Sequence, residues 1–179
     1  MSVNITLYNE AFNKLLNKSG CYISINNCCS PFNGDCSFFD KDDGERYGFY
    51  LIDSSDYDYI AGFVMCQLPG CCGICLSTKA YVSYSLQGRG LGLILAKLRI
   101  AIAKEAGYTV LMCTDVDTNV PQRKIMSRLG WKDIYQFNNL RTGNDVNISV
   151  LDLTKVSSKD LDPYYIGKET EEQLIAKYS

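Results

Sequence analysis

The sequence predicts an α/β (α+β) fold in which a mixed, mostly antiparallel central sheet is flanked by helices. Three strand-like segments follow one another between residues 46 and 84 with turn residues between them, which is typical of an antiparallel meander. The third segment runs into a glycine-rich turn, an apolar helix and a further strand, and this order predicts a βαβ unit with a parallel strand pair. The length of 179 residues fits a single domain, residues 1–179.

Charge and hydropathy argue against several classes of protein. The net charge of −2 argues against nucleic-acid binding, which needs a dominant basic face. No apolar run reaches the length of a membrane span, and the first residues lack the basic and apolar regions of a secretory signal. We therefore expect a cytoplasmic protein whose nine cysteines are reduced.

Histidine is absent from the chain. This excludes Ser–His and Cys–His nucleophiles, histidine-ligated metals and an imidazole base. Cys72 and Cys75 have the spacing of one metal-binding pair, but Cys29 and Cys36 are too far apart in sequence to supply the second pair of a structural zinc site. We therefore expect no metal site.

The first half of the chain predicts one helix and three strands. The helix covers residues 6–18, with Thr6 as its cap and Gly20 just beyond its end. Residues 21–45 mix cysteine with Asn, Ser, Gly and Pro and end in an acidic run, so we interpret them as a long loop. The strands cover residues 46–53, 59–68 and 73–84.

The second half predicts two helices, a buried strand and a hairpin. One helix starts near Gly90 and ends at Gly107, and the strand after it is so apolar that we expect burial on both faces. Asn119 can cap the next helix, with Gly130 following its end. The remaining segments are a hairpin, residues 131–138 and 147–153, and a polar C-terminal tail, residues 154–179, with a short helix over 170–177.

Three glycines mark the turn that precedes the first of these two helices. Gly88, Gly90 and Gly92 let the main chain approach a ligand closely, and a helix N-terminus offers free N–H groups and the positive end of its dipole. The pattern predicts a phosphate or diphosphate site. It lacks the GxGxxG spacing of dinucleotide-binding folds, so a nucleotide-binding module is the weaker interpretation.

The chain from about residue 47 to 153 resembles the GNAT superfamily of acyl-CoA-dependent N-acyltransferases. The segment Gln-Gly-Arg-Gly-Leu-Gly at residues 87–92 is similar to that family's acyl-CoA signature of Gln or Arg, two residues, Gly, one residue, and Gly or Ala. Val82 stands where the family's fourth strand carries a Val or a similar residue. Asn119 followed by Leu-Gly-Trp at residues 129–131 resembles the family's Asn, helix and Leu-Gly-Phe block, and all three features have the family's order and spacing.

The resemblance implies a GNAT-like sheet that splays open between its fourth and fifth strands, with acetyl-CoA as cosubstrate in the gap. Main-chain groups at Tyr81, Val82 and Ser83 would pair with the pantetheine arm like an added strand, and Asn119 would touch the same arm. Arg123 would attract the 3′-phosphate, although a solvated helix face explains the same charge equally well. The diphosphate would be bound at Gln87, Gly88, Arg89, Gly90, Leu91, Gly92 and Leu93.

The reaction implied is the direct attack of an amine on the thioester of acetyl-CoA. An alkyl amine has a pKa of about 10, so it must first lose a proton to a base, to water, or through desolvation. A strand N–H near Val82 would stabilise the oxyanion of the tetrahedral intermediate.

The sequence departs from the family pattern at the general acid. Many members place a tyrosine seven residues after the Asn and four before the Gly, and both counts fall on Met126, whose thioether cannot donate a proton. The candidate catalytic residues are therefore Ser127, Tyr84 and Tyr81. Residues 71–84 contain no carboxylate, so water-mediated proton transfer is the default, and the candidate bases elsewhere are Glu45, Asp53, Asp115 and Asp117.

Two functions from different classes remain open at this point. The first is an acetyl-CoA-dependent N-acetyltransferase that acts on an amine of a protein, a peptide or a small molecule. The second is an acyl-CoA-binding or protein-interaction module that has lost catalysis, which the missing tyrosine favours. The acceptor would be set by residues 20–45 and 138–146, and a homodimer is compatible with the sequence.

Overall fold

The computed structural model describes residues 3–18, 20–26 and 46–164 of the chain. In this part, seven strands form one sheet in the order β1-β2-β3-β4-β5-β7-β6, and only the β4–β5 pair is parallel. The predicted fold class is confirmed. The strands are β1 Cys21–Asn26, β2 Arg46–Asp53, β3 Tyr59–Leu68, β4 Cys71–Val82, β5 Val110–Val116, β6 Lys132–Asn138 and β7 Asp145–Asp152, and the helices are α1 Ile5–Leu16, α2 Leu91–Glu105 and α3 Val120–Arg128.

The parallel pair of strands separates after a short stretch of pairing. β4 and β5 are joined over four residue pairs, from Ile74 opposite Val110 to Ser77 opposite Cys113. Beyond Ser77, β4 continues to Val82 with no partner on that side among the described residues, although β3 still pairs with it on the other. The expected opening between the fourth and fifth strands is therefore confirmed, and it exposes one edge of β4.

A β-bulge lies where the two strands separate. Lys79 pairs with Val64 and Ser77 pairs with Met65, so Thr78 is an extra residue in β4. Because side chains alternate along a strand, the extra residue places Ala80 and Val82 on the same face of the sheet as Ser77. That face carries the helices.

One apolar core joins the helices to this face of the sheet. α1 buries Tyr8 and Phe12, and α2 buries the stripe predicted for it, from Leu91 to Leu98. α3 contributes Met126, which is also buried. The largest buried side chains that the sheet contributes to this core are Phe63, Leu51, Met65 and Leu111.

The structure corrects the predictions at the N-terminus. The cap of α1 is Asn4 and not Thr6, since the Asn4 side chain accepts the N–H of Leu7 at 3.1 Å. The helix ends at Leu16, with Asn17 at φ +52° as its C-cap, instead of extending to Lys18. Residues 21–26 are not a loop but the edge strand β1, because their backbone pairs with β2 along its whole length. Residues 27–45 of the predicted loop, with Cys28, Cys29 and Cys36, lie outside the described residues.

Two strands also differ from their predictions. β4 ends at Val82 and not at Tyr84, because the chain turns there into a short 3₁₀ helix, Tyr84–Leu86. β5 is fully buried only on the helix side, where Leu111, Cys113 and Asp115 lie, and Thr114 on the other face is exposed. The expectation of burial on both faces was wrong because, within the described residues, the helices cover one side of the sheet.

The rest of the second half follows the predictions closely. The βαβ unit, the Asn119 cap of α3 and the β6–β7 hairpin are all present. The first part of the predicted polar tail is attached to the helices: the Tyr8 hydroxyl donates to the carbonyl of Leu161, and Lys97 Nζ donates to that of Asp162 at 2.7 Å. The helix predicted over residues 170–177 lies outside the described residues.

Candidate active site

A cleft with a volume of about 730 Å³ opens on the helix side of the sheet, between α2 and α3. Its walls are the end of β4, the glycine turn, the first turns of α2 and the inner side of α3. Nine of the twelve residues predicted to bind the cofactor line it; their binding role stays a prediction. These nine are Tyr81, Val82, Gln87, Gly88, Gly90, Leu91, Gly92, Leu93 and Asn119.

The glycine turn presents a run of unpaired N–H groups. Gly88 and Gly90 have φ values of +77° and +86°, a region that side chains disfavour, and Gly90 caps α2 without a side chain. Within the described part of the chain, the N–H groups of residues 88–92 donate to no protein acceptor. Five consecutive donors at the positive end of a helix are the groups that an anion-binding site requires.

Two residues of the turn also have visible structural roles. The Gln87 side-chain amide donates to the carbonyl of Val82 at 3.2 Å, which fixes the turn against the end of β4. A Cβ atom at Gly92 would lie 3.1 Å from Cδ1 of Ile125, so glycine there lets α3 approach α2 closely. The floor and the wall of the cleft therefore depend on the same short motif.

The free edge of β4 offers further main-chain groups to the cleft. The N–H of Ser83 donates to the carbonyl of Ile60 at 2.8 Å. Because antiparallel pairing alternates along a strand, the main chain of Tyr81 and Ser83 faces β3, whereas that of Ala80 and Val82 faces the gap. This corrects the prediction for Tyr81 and Ser83 and adds Ala80, which the sequence analysis missed because the bulge has no local signal.

Of the candidate catalytic residues, only Tyr81 lies at the cleft. Tyr84 is 89% exposed on the 3₁₀ turn. Ser127 is on the outer side of α3, where it lines a separate surface depression with Arg123. The structure therefore gives no support to Tyr84 or Ser127 as a proton donor in the cleft. Met126, at the family's tyrosine position, is 4% exposed and packs in the core.

Arg123 is engaged in ion pairs and does not line the cleft. Its guanidinium lies 2.9 Å from Asp115 Oδ2 and 2.7 Å from Asp133 Oδ2, with Asp117 Oδ1 at 3.6 Å. The hydrogen bond that Ser149 donates to Asp133 is the main reason why the pKa of Asp133 lies below its usual range, and the hydrogen bond from Arg123 is the second. The contact of Arg123 with a CoA phosphate stays a prediction that these ion pairs disfavour, and the cations that line the cleft on α3 are Lys124 and Arg128.

The candidate bases are held by other interactions. Asp115 and Asp117 belong to the Arg123 cluster. Asp53 pairs with Lys18 and accepts from the Ser55 hydroxyl at 2.7 Å; these bonds hold its pKa well below the usual range, which makes it a weak base. Glu45 lies outside the described residues. Water-mediated proton transfer remains the default.

The last two predicted cofactor residues, Ser83 and Arg89, line a neighbouring pocket of about 230 Å³. Its wall carries both signs of charge, since Asp53, Asp56 and Asp58 contribute to it together with Lys18 and Arg89. It adjoins the cleft at Leu86, which lines both.

Arg99 lines the cleft and was not identified from the sequence. The residue is only 3% exposed. Its Nη1 donates to Ser77 Oγ at 2.6 Å, and its guanidinium lies 5.5 Å from the centre of the Trp131 ring. Among the described residues, its Nε has no hydrogen-bond partner. A signal existed in the sequence, because Arg99 is four residues after Leu95 and thus interrupts the apolar stripe of α2.

The described cysteines are Cys21, Cys66, Cys71, Cys72, Cys75 and Cys113, and all are free thiols. Burial raises the pKa of Cys75 to about 12, whereas Cys72 is exposed. In the described ranges, no group of three or more His, Cys, Asp or Glu side chains is arranged so that it could hold a metal ion. No helix in these ranges is both long and apolar enough to cross a membrane.

Comparisons with known proteins identify similar sequences and folds. The family model described as "Acetyltransferase (GNAT) family" matches residues 9–131. A GNAT family acetyltransferase from Elizabethkingia anophelis, solved with acetyl-CoA bound, is 16% identical, with a TM-score of 0.53 over 73% of this chain and 97% of that one. The ribosomal-protein-S18-alanine N-acetyltransferase of Escherichia coli is 12% identical, with a TM-score of 0.55 over 76% and 97% of the two chains.

A third similar structure is an IAA acetyltransferase from Bacillus cereus, 14% identical, with a TM-score of 0.55 over 73% of this chain and 99% of that one. At these identities the likeness concerns the fold. No curated protein matches the chain in sequence.

Proposed function

Because the chain belongs to the GNAT family of acetyltransferases, we propose that it transfers the acetyl group of acetyl-CoA to the nitrogen of an amine. The observation that supports this most strongly is the run of N–H groups at residues 88–92, which lack a protein acceptor within the described structure. They lie at the mouth of a cleft that also contains a free strand edge. A diphosphate joined to an amide-containing arm matches both features.

The residues present fit acetyl-CoA as the cosubstrate. The five N–H groups and the α2 dipole would hold the diphosphate. The N–H groups of Ala80 and Val82 would pair with the amides of the pantetheine arm in the manner of an added strand. Lys124 and Arg128 are placed to attract the 3′-phosphate. Acetyl-CoA itself supplies a thioester, whose carbonyl carbon accepts the amine.

The protein's part in the chemistry is to position the reactants and to stabilise charge. The amine nitrogen bonds to the thioester carbon, the C–S bond breaks, and the amine proton leaves to water. A main-chain N–H of β4 beside the thioester would stabilise the oxyanion, an interaction whose loss in other enzymes costs about 100-fold or more in rate. The N–H of Val82 would pair with the arm instead, nearer the diphosphate. The acceptor, a cytoplasmic location, a single domain and a homodimer all stay predictions.

A second function is favoured by Met126. Its thioether cannot donate a proton, and its burial in the core leaves it no route to the cleft. A protein with this replacement would bind acyl-CoA without efficient transfer, as a binding or interaction module does.

Calorimetry with CoA and an acetyl-transfer assay separate these functions. Gly90→Glu places a carboxylate on a backbone with φ +86° at the diphosphate site, and we expect at least a 100-fold loss of CoA affinity. Gly143→Glu is the matched control, because Gly143 has φ +72° in the hairpin turn with open space around it. Equal affinity of the two variants for CoA would refute the proposed diphosphate site. CoA release from acetyl-CoA with a panel of amines indicates an enzyme, and binding without release indicates the second function.

A further inference from the structure

A buried guanidinium lies against the cleft without a carboxylate partner. Within the described part of the chain, Arg99 makes no salt bridge; its contacts are the Ser77 hydroxyl at 2.6 Å and the face of Trp131 at 5.5 Å. Its Nε is buried and makes no hydrogen bond. Burial lowers the pKa of Arg99, as expected of a cation that loses its hydration.

Such a residue is costly for the fold. Removing a cation from water without pairing it costs several kcal/mol in general, and apolar residues of similar size often stabilise a protein at such positions. The other buried cation of α2, Lys97, donates instead to the carbonyl of Asp162 at the surface of a different cavity. Arg99 is therefore explained best by an anion that comes from the cleft.

The position of Arg99 identifies which part of the ligand it can meet. Arg99 lies eight residues after Leu91, or about 12 Å along the helix from the diphosphate site, which places it beyond hydrogen-bonding range of the phosphates. The pantetheine arm is roughly as long as four extended residues, about 13 Å. The hydrogen-bond partner of Arg99 is Ser77, the last residue at which β4 pairs with β5. An arm that follows the free edge of β4 from the turn past Val82 and Ala80 therefore ends beside Arg99.

From these observations we infer that Arg99 is a catalytic residue that stabilises the thiolate of CoA as it leaves, and so compensates for the tyrosine that Met126 replaces. The inference rests on the function proposed above. When the C–S bond breaks, the sulfur keeps the electron pair and carries the negative charge. Arg99 balances this charge by a charge-assisted hydrogen bond and transfers no proton, since a guanidinium stays protonated. The thiolate later takes a proton from water.

The direct test is the pKa of the CoA thiol in the complex, read from the ultraviolet absorbance of the thiolate. A free thiol has a pKa of about 8.5, and a cation within 4–6 Å lowers such a pKa by about 1–3 units. We expect this shift in the wild-type complex and its loss in Arg99→Met. Arg99→Lys keeps a charge and should keep part of the shift. Lys97→Met, which removes a cation from the same helix but not from the cleft, should behave like the wild type.

Binding and kinetic measurements complete the test. The affinity of the wild type for CoA relative to desulfo-CoA should rise with pH through the thiol pKa, and this rise should vanish in Arg99→Met. For the acetyl transfer, kcat should fall about 100-fold in Arg99→Met while KM for acetyl-CoA changes little. Since the substitution replaces a buried charge by an apolar side chain, the variant should fold, which circular dichroism would show; Arg99→Gln is the second neutral variant.

The outcomes distinguish this inference from the proposed function. If CoA binds and its thiol pKa is the same in the wild type and in Arg99→Met, the role of Arg99 is refuted while the proposed function stands. If CoA does not bind to the wild type, the proposed function fails and the role of Arg99 fails with it.

Discussion

Replacing Arg123 with methionine should destabilise the fold and leave CoA affinity unchanged. The guanidinium bonds to Asp115 at 2.9 Å and to Asp133 at 2.7 Å. The Asp115 side chain is 4% exposed, and removing the partner of a buried charge costs about 3–5 kcal/mol. Because Arg123 and Asp133 are 31% and 45% exposed, solvent screening reduces this to about 2–3 kcal/mol. For a chain of this size, that is a fall in Tm of about 4–12 °C.

The pH dependence gives the prediction a second signature. Ser149 and Arg123 lower the pKa of Asp133 in the folded state, so their stabilising effect is present above the unfolded pKa of about 4 and is lost as the pH falls through the folded value. The stability difference between wild type and Arg123→Met should therefore be full at pH 7 and shrink below about pH 4. Urea denaturation at both ends of this range measures it.

Lys124→Met is the matched control on the same helix. Lys124 is exposed and lines the cleft, so its loss should weaken CoA binding about threefold to tenfold while stability changes by less than about 0.5 kcal/mol. Normal stability of Arg123→Met together with weakened CoA binding would refute the structural role of Arg123 and support its contact with the 3′-phosphate.

Three further outcomes follow from buried or capping side chains. Met126→Ala should lower the free energy of unfolding by about 2–5 kcal/mol, because it leaves a cavity in the core. At low temperature, its kcat should stay within about threefold of the wild type. A fall in kcat of several hundredfold in a folded variant would contradict this. Asn119→Ala should cost about 1 kcal/mol, because the side chain accepts the N–H of Gln122 at 3.4 Å, and Asn119→Asp should retain the cap. Burial lowers the pKa of Lys97 from 10.5 to about 8. Between these two pH values the unfolded chain binds more protons than the folded chain, so the stability of the wild type relative to Lys97→Met should rise with pH. Parallel stability curves for the two proteins would contradict this.

Elements with local signals could be predicted from the sequence. The glycine turn, the apolar stripe of α2 and the cap of α3 each depend on residues within a few positions of one another, and the structure has all three. Their order along the chain was enough to place the parallel pair, whereas the opening beside it was implied by the resemblance to the GNAT superfamily.

Features that depend on distant residues could not be predicted. Residues 21–26 are the edge strand because β2 pairs with them, and the loop predicted for them rested on the residues that follow, which are rich in Asn, Ser, Gly and Pro. Arg123 resembles a free cation on a helix surface until Asp115 and Asp133 meet it from two different strands. The bulge at Thr78 depends on the register with β3, so main-chain groups facing the cleft were predicted at Tyr81 and Ser83 as well as Val82, and Ala80 was left out.

The bulge also determines which kinds of mutation β4 can tolerate. Upstream of Thr78, Cys75 and Ser77 face the helices, and downstream Ala80 and Val82 do so. Deleting this one residue would force one half of the strand to turn over, so that either the core or the cleft would lose its side chains. Homologous sequences should therefore vary in residue type along this strand but conserve the number of residues between the parallel pair and the glycine turn.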